Sequence, residues 1–333
     1  MVTLDHGSGG LRTRELIEGL ILSHLKDPVL GLLEDSAVLD VGNQRIAFTT
    51  DTFVVDPIFF PGGDIGMLAV HGTINDLAMK GARPLALSLA LILEEGLGMD
   101  VLEALIRSVE RASGKAGVPV VTGDTKVVPK GAGDKVFINT SGVGMIPKDV
   151  VIGSHRIGPG DVILCSGTIG DHGITILTQR EGLGFATGIE SDTRALHGLV
   201  RLLLEGLGDD LHCMRDPTRG GVATVLVEIA ERCGYTMEIF EDALPIKETV
   251  KGAAEILGLD PLYLANEGKL LAWVKKGRET EALDIMRSVP EGKDACIIGE
   301  VKGEEKGRVV LNTSIGGRRI IGVLTGNPLP RIC

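Results

Sequence analysis

The chain of 333 residues is poor in aromatic side chains, with one Trp, two Tyr and seven Phe, so its core must be built from aliphatic residues. It has no apolar run of the ~18 residues that mark a membrane-spanning helix. The longest candidate, Pro84 to Leu93, stops at Glu94-Glu95. Basic residues are in the minority: 34 Lys and Arg against 45 Asp and Glu give a formal charge of -11. That balance disfavours a nucleic-acid scaffold, which would show a basic face. The five cysteines, Cys165, Cys213, Cys233, Cys296 and Cys333, contain no CxxC pair. Such an odd and scattered set argues against a disulfide framework and against structural zinc. The first ten residues lack a basic region followed by an apolar one, so no secretory signal is read and the expected compartment is the cytoplasm. There is no G-x-G-x-x-G after the first strand, no G-x-x-x-x-G-K-[ST] loop and no kinase signature, which excludes a plain Rossmann or P-loop reading. Low-complexity segments and short repeats are also missing.

What is present is an ordinary soluble composition, 44% apolar and 24% charged, with 47 glycines. The length suggests two domains. Apolar spacing predicts helices over Thr13 to Leu25, Ile65 to Lys80 (ending at Gly81), around Val101 to Val109, and over Gly221 to Cys233. Ala37–Val41 and Ile46–Thr50 read as a hairpin turning at Gly42-Asn43, and Pro84–Leu93 as a buried strand. Val118–Thr122 and Val136–Met145 complete the first set of strands. Turn chemistry near Pro147 and in Ile157-Gly158-Pro159-Gly160-Asp161 places a boundary at about residue 150. Beyond it, strands near Val162, Met237, Leu270, Ala295 and Arg308 alternate with helices near Ile174, His197, Lys247 and Glu279. Each half is therefore α/β or α+β. Cys165, Cys213, Cys233 and Cys296 fall in or beside apolar segments and read as core residues.

Five aspartates stand beside small residues, Asp35, Asp51, Asp124 and Asp216 at strand ends or in loops and Asp76 within a helical stretch. A single loop Asp is ordinarily a cap or turn former. Asp76 differs because it lies inside an apolar helix, where a carboxylate is awkward. His71 and Asn75 are four apart and share a face of that helix. Five converging aspartates would make a site for magnesium and a polyphosphate, since magnesium takes one or two carboxylates plus phosphate oxygens. Thr218-Arg219-Gly220-Gly221 opens a helix whose N-terminal amides, with the Arg, can hold phosphate.

The ordered motifs Asp-His-Gly-Ser-Gly-Gly, Leu-Glu-Asp-Ser-Ala-Val, Thr-Thr-Asp-Thr, His-Gly-Thr-Ile-Asn-Asp-Leu-Ala-Met-Lys-Gly-Ala, Gly-Asp-Thr-Lys, Asp-Pro-Thr-Arg-Gly-Gly and Asn-Glu-Gly resemble the aminoimidazole ribonucleotide synthetase superfamily over essentially the whole chain. Pro330-Arg331-Ile332-Cys333 resembles one branch, the carbamoyl dehydratases of hydrogenase maturation. The resemblance implies a two-domain α/β (α+β) fold. Its N-terminal domain (1–150) binds ATP and pairs as a β-barrel in a homodimer, its C-terminal α/β domain spans 151–324, and a mobile tail (325–333) ends in Cys333. It implies ATP and Mg²⁺ as cofactors. The implied reaction is ATP-dependent dehydration of an S-carbamoyl group on Cys333 to a thiocyanate, which supplies cyanide for [NiFe]-hydrogenase iron. HypF is the implied carbamoyl donor and the HypC–HypD complex the implied acceptor.

Residue by residue, the resemblance implies metal and phosphate roles for Asp35, Asp51, Asp76, Asp124 and Asp216. Nucleotide contacts are expected from Asp51, Thr52, His71, Asn75, Gly123, Thr125, Thr218, Arg219, Gly220 and Gly221. Lys126 and Glu267 are expected to face the carbamoyl group, with Glu267 the better base. From the residues alone, Lys126 reads equally well as a solvated lysine, whereas Glu267 reads first as a helix or turn carboxylate. Gly326, Pro328 and Pro330 disfavour helix, so the last nine residues read as an extended arm reaching up to about 30 Å. By position alone, a frayed end with an accidental cysteine is the first reading. His6 to Gly10 reads either as a lid over phosphates or as a loose end. Ser8 and Arg12 stand where the related selenophosphate synthetases carry Cys and Lys, which turns the reading away from selenium. Two alternatives stay open: the same fold acting on a free small molecule, and a non-enzymatic carrier that presents Cys333.

Overall fold

The computed structural model describes residues 1–180, 188–303, 306–326 and 331–333. The N-terminal stretch winds through α1 (Leu11–Leu16), a π-helical turn (Ile17–Ile21) and α2 (Leu22–His24). Then come β1 (Ala37–Val41), β2 (Gln44–Phe53), β3 (Phe59–Phe60), β4 (Gly63–Asp64), α3 (Ile65–Met79), β5 (Arg83–Glu94), α4 (Met99–Ala116), β6 (Val120–Val128) and β7 (Val136–Ile146). The order in this sheet is β1-β2-β7-β5-β6, and only the β5–β6 pair is parallel. The β1–β2 turn falls at Gly42, whose φ of 61° suits glycine.

Helix α3 is the central pillar. Asp64 caps it by accepting from Gly66 N (2.8 Å) and Met67 N (2.9 Å), and Gly81 (φ 71°) lies just past its end. It is buried nearly all round. A polar side chain on it must therefore be matched by a partner or serve a site. Strand β5 corrects one expectation: its residues alternate between buried and partly exposed, so one face of this sheet is only thinly covered.

The second sheet is formed by β8 (Val162–Cys165), β9 (Leu211–Arg215), β10 (Thr236–Phe240), β11 (Leu271–Val274), β12 (Cys296–Lys302), β13 (Val309–Asn312) and β14 (Arg318–Ile321). Its order is β14-β13-β10-β12-β8-β11-β9. Around it lie α5 (Asp171–Arg180), α6 (His197–Leu207), α7 (Gly221–Cys233), α8 (Glu248–Leu257) and α9 (Glu279–Arg287). Strands β9 and β14 were not anticipated from sequence. Cys165 and Cys213 are buried in this core, whereas Cys233 and Cys296 are half-buried. No helix of the described residues is long and apolar enough to cross a membrane.

Asn75 links the two halves. Its Nδ2 donates to the Arg194 carbonyl (3.0 Å), and its Oδ1 accepts from Leu196 N (2.8 Å). This holds α3 against the N-terminal end of α6, so the cleft between the two sheets keeps its shape.

Candidate active site

Asp35 precedes β1, Asp76 lies on α3, and Asp216 follows β9. One carboxylate oxygen from each comes within 4.8 Å of the others. Like charges this close, away from water, disfavour ionisation. Burial pushes Asp35 up to about 6, partly offset by Arg215. Asp216 rises to about 8 through burial and the charge of Asp35. Asp76 is held well above the usual carboxylate range by burial and by Asp216, Asp51 and Asp35. Thr49 Oγ1 donates to Asp76 (2.8 Å), and Arg215 pairs with Asp35 at 2.8 Å. Even so, Asp35 Oδ2 is buried with no partner. An all-oxygen donor set with an orphaned lone pair and excess negative charge fits a hard divalent cation.

These residues line a cleft of about 900 Å³, together with Gly9, Gly10, Arg14, Thr50, Asp51, Thr218, Arg219 and Thr224. Asp51 is also shifted upward by burial, against the pull of Arg219 and the Thr52 amide. Gly220 and Gly221 start α7 with φ of 76° and 63°. A Cβ on Gly221 would meet the Leu262 and Leu264 carbonyls at 2.6 Å, so glycine is required where the helix opens onto the cleft. Thr224 Oγ1 lies one turn in, buried and without a partner. The Gly-rich N-terminal stretch is folded onto this cleft: Gly9 packs on Arg219, and Arg219 donates to the Gly7 carbonyl (3.3 Å).

Glu267 lies within electrostatic reach of Asp51, Asp216 and Arg219. The fully buried Asn266 holds its turn, accepting from Gly170 N (2.7 Å) and donating to the Pro217 and Leu264 carbonyls (3.0 Å each). A Cβ on Gly268 would stand 1.9 Å from the Asp192 carbonyl, so glycine is sterically required after Glu267. Glu267 is 3% exposed, and its Oε1 has no partner. Burial, then Asp192, Asp51 and Asp216, hold it well above the usual range.

Cys333 comes within electrostatic reach of Glu267, Arg219 and Asp51. Its carbonyl accepts from Val54 N (2.9 Å), and the Arg331 carbonyl accepts from Asp56 N (3.3 Å). The thiol is pushed up to about 12 by burial, although Arg219 favours the thiolate; Glu267 and Asp51 oppose it. Residue Cys333 as a whole is only half-buried. In this position the sulfur is a neutral thiol and a poor nucleophile.

The remaining sequence-selected residues lie elsewhere. Asp124, Thr125, Lys126 and Gly123 are on β6, exposed, and Lys126 Nζ binds both Asp124 oxygens at 2.8 Å. This chain does not bring Asp124 or Lys126 to the acidic trio. Thr52 Oγ1 accepts from Asn139 (3.0 Å) on the exposed side of β2. His71 is buried on α3 beside Thr193 and held down to about 4 by burial, and Asn75 is spent on the contacts to Arg194 and Leu196. Sequence reasoning missed Arg215, Glu34 and Thr224 in the cleft, and Asp192, which accepts from the Glu267 and Gly268 amides (3.1 and 3.2 Å). Arg215 stands directly before Asp216 in sequence and could have been found there; Asp192 carries no local signal.

The AIR synthase related protein N-terminal domain matches residues 33–146, and its C-terminal domain matches 158–312. The chain is 49% identical to the carbamoyl dehydratase HypE of Azotobacter vinelandii, over all of this chain and 97% of that protein. It is 47% identical to the Escherichia coli (strain K12) protein of the same name, over all of this chain and 99% of the relative. A crystal structure of the hydrogenase maturation protein HypE in complex with ATP superposes with a TM-score of 0.84 at 50% identity, covering 100% of each chain. HypE in a HypE–HypF complex gives 0.88 at 47% identity, covering 93% of this chain and 99% of that one. The thiamine monophosphate kinase of Aquifex aeolicus, 22% identical with a TM-score of 0.67 over 93% of this chain and 99% of that one, shares the fold alone. With both family domains matched in order and near-half identity along the full length, the chain belongs to the AIR synthase related family and, within it, to the carbamoyl dehydratases called HypE.

Proposed function

We propose that this chain uses ATP to dehydrate an S-carbamoyl group on its own Cys333 to a thiocyanate, within hydrogenase maturation. The observation that carries this is the docking of Cys333 in electrostatic reach of Arg219 and Asp51, which line the acidic cleft, and of Glu267. A carbamoyl transferred from outside fits a thiol that is neutral when docked, because loading then belongs to the released arm. HypF as donor and a HypC–HypD complex as acceptor complete that cycle, in the cytoplasm.

The chemistry needs activation, since oxide cannot leave a thiocarbamate directly. Transfer of the γ-phosphoryl to the carbonyl oxygen of S–C(=O)–NH2, with loss of one N–H proton, yields S–C(=NH)–O–phosphate and ADP. Removal of the second N–H proton sends its electron pair into a new C–N π bond, while the C–O pair leaves with inorganic phosphate. Glu267 is the base for the N–H protons: its Oε1 is buried without a partner, and burial raises its pKa above the usual carboxylate range, which makes it a stronger base. Arg219, Thr218 and the opening amides of α7 orient the phosphates. Asp35, Asp76 and Asp216, with Asp51 beside them, would hold Mg²⁺, which supplies charge neutralisation on the phosphate oxygens when bound.

The active form is a homodimer. Strand β6 pairs only with β5 among the described residues, and Val121 and Val127 on it are 64% and 66% exposed. An open, nine-residue strand edge flanked by exposed valines invites pairing with a second copy. Asp124 and Lys126 on that edge then serve the neighbouring copy, with Lys126 stabilising the developing oxyanion.

Changing Cys333 to Ala tests the reading. Thiocyanate formation is expected to vanish while ATP affinity holds. An enzyme for a free small molecule would keep its turnover, and a mere carrier would consume no ATP in either form.

A further inference from the structure

His172, in the first turn of α5, is fully buried and has no part in the reaction above. Its Nε2 lies 2.7 Å from the Ile332 carbonyl, and its Nδ1 lies 2.8 Å from Ser191 Oγ, which is 2.6 Å from Thr193 Oγ1. A carbonyl oxygen can only accept. Nε2 therefore carries the proton, Nδ1 accepts from the Ser191 hydroxyl, and Thr193 donates to Ser191. Phe60 stands edge-on to the ring, centroids 5.6 Å apart and planes at 85°, and fixes its orientation. On either side, the Arg331 carbonyl accepts from Arg180 Nη2 (2.8 Å) and the Cys333 carbonyl from Val54 N. The Ile332 side chain is 4% exposed and joins the apolar cluster containing Phe60, Ile174 and Leu177. Each of the three carbonyls thus meets a donor from the body of the protein. None of these contacts involves the sulfur or the acidic cleft.

We propose that His172 is a positioning residue: through the Ile332 carbonyl it holds residues 331–333 so that the Cys333 sulfur faces Glu267 and Arg219. The inference rests on the reading of Cys333 as the group that reacts. When the arm leaves, the buried Nε2–H loses its acceptor, and that cost falls on the released state. The clasp reads backbone carbonyls and one aliphatic side chain, so it recognises a short peptide ending and is indifferent to the load on the sulfur.

The test uses full-length protein and two readouts: the rate at which iodoacetamide alkylates Cys333 without nucleotide, followed by peptide mass mapping, and single-turnover thiocyanate formation after carbamoylation. His172→Phe keeps a ring of similar shape and loses the donor. It is expected to speed alkylation about tenfold and slow the single turnover by a similar factor, with ATP affinity unchanged; tenfold corresponds to about 1.4 kcal/mol. His172→Gln, which can place an N–H near the same carbonyl, should restore both rates toward wild type. If His172→Phe does not fold, Ser191→Ala removes the partner that fixes the tautomer and must move both rates in the same directions by a smaller factor. Unchanged alkylation in folded His172→Phe overturns the proposal, as does slowed chemistry without faster alkylation. Faster alkylation in a protein whose wild type makes no thiocyanate supports the clasp and overturns the reading of Cys333 as substrate.

Discussion

Thr50-Asp51-Thr52 and Gly123-Asp124-Thr125 are nearly the same string, and locally they fold alike. In each, the Asp Oδ1 accepts from the following amide at 2.8 Å. Their surroundings are opposite. Asp51 faces the cleft, where burial pushes its carboxyl up. Asp124 is exposed on β6, where the side chain of Lys126 and the Thr125 amide pull its carboxyl down. Local turn chemistry therefore says nothing about the charge state; the tertiary environment decides it. Of the two motifs, one converges with the acidic trio within the chain and the other faces outward along an open strand edge.

The comparison breaks first on the buried side. Glu267→Gln keeps the size and hydrogen-bonding shape of the side chain and removes the base. Thiocyanate formation should fall roughly 10²–10⁴-fold, the usual worth of general base catalysis, with ATP binding retained. A rapid-quench assay of the carbamoylated protein checks it.

On the exposed side, Lys126→Ala should leave the thermal unfolding midpoint unmoved, because its ion pair with Asp124 is open to water. Product formation is expected to fall by roughly 10²–10³-fold, the share of a single electrostatic donor to an oxyanion. If β6 serves the neighbouring copy, mixing Lys126→Ala with Glu267→Gln protein should regain activity, since some mixed dimers carry one intact site. Failure to complement, with mixed dimers demonstrated, would return Lys126 to its own chain.

The smallest effect is on stability. Asp35 and Asp216 are raised to about 6 and about 8, so the folded state favours their protonated forms. Their contribution is present below the ordinary carboxylate range and is lost as pH rises through about 6 and then about 8. Calorimetry without ligands should show the unfolding midpoint falling by a few degrees between pH 5 and 8.5. Magnesium with ATP should flatten that slope, because a bound cation favours the ionised carboxylates. Divalent affinity should accordingly rise across the same window.

Much of the fold was legible. The apolar spacing of Gly221 to Cys233 returns as α7, and the Gly42-Asn43 turn returns between β1 and β2. Strand β9 was not, because Leu-His-Cys-Met-Arg mixes polar and apolar residues at positions that are almost all buried, so alternation gives no signal. In the site, Asp76 was marked by its awkward place inside an apolar helix. Arg215 was within reach through its neighbour Asp216, whereas Asp192 was not, since it acquires its role from the distant Glu267 turn. The docking of residues 331–333 could not be read from sequence either; Gly326 and the prolines indicate an extended arm but not the donors that receive it.

The most direct test is an intact-mass measurement of the protein carbamoylated on Cys333 and then given magnesium and ATP. The account predicts that the mass of the carbamoylated form falls by one water, with ADP and phosphate appearing in equal amount. A carbamoylated mass that persists while ATP is consumed, or a water lost equally well from the Glu267→Gln protein, would contradict it.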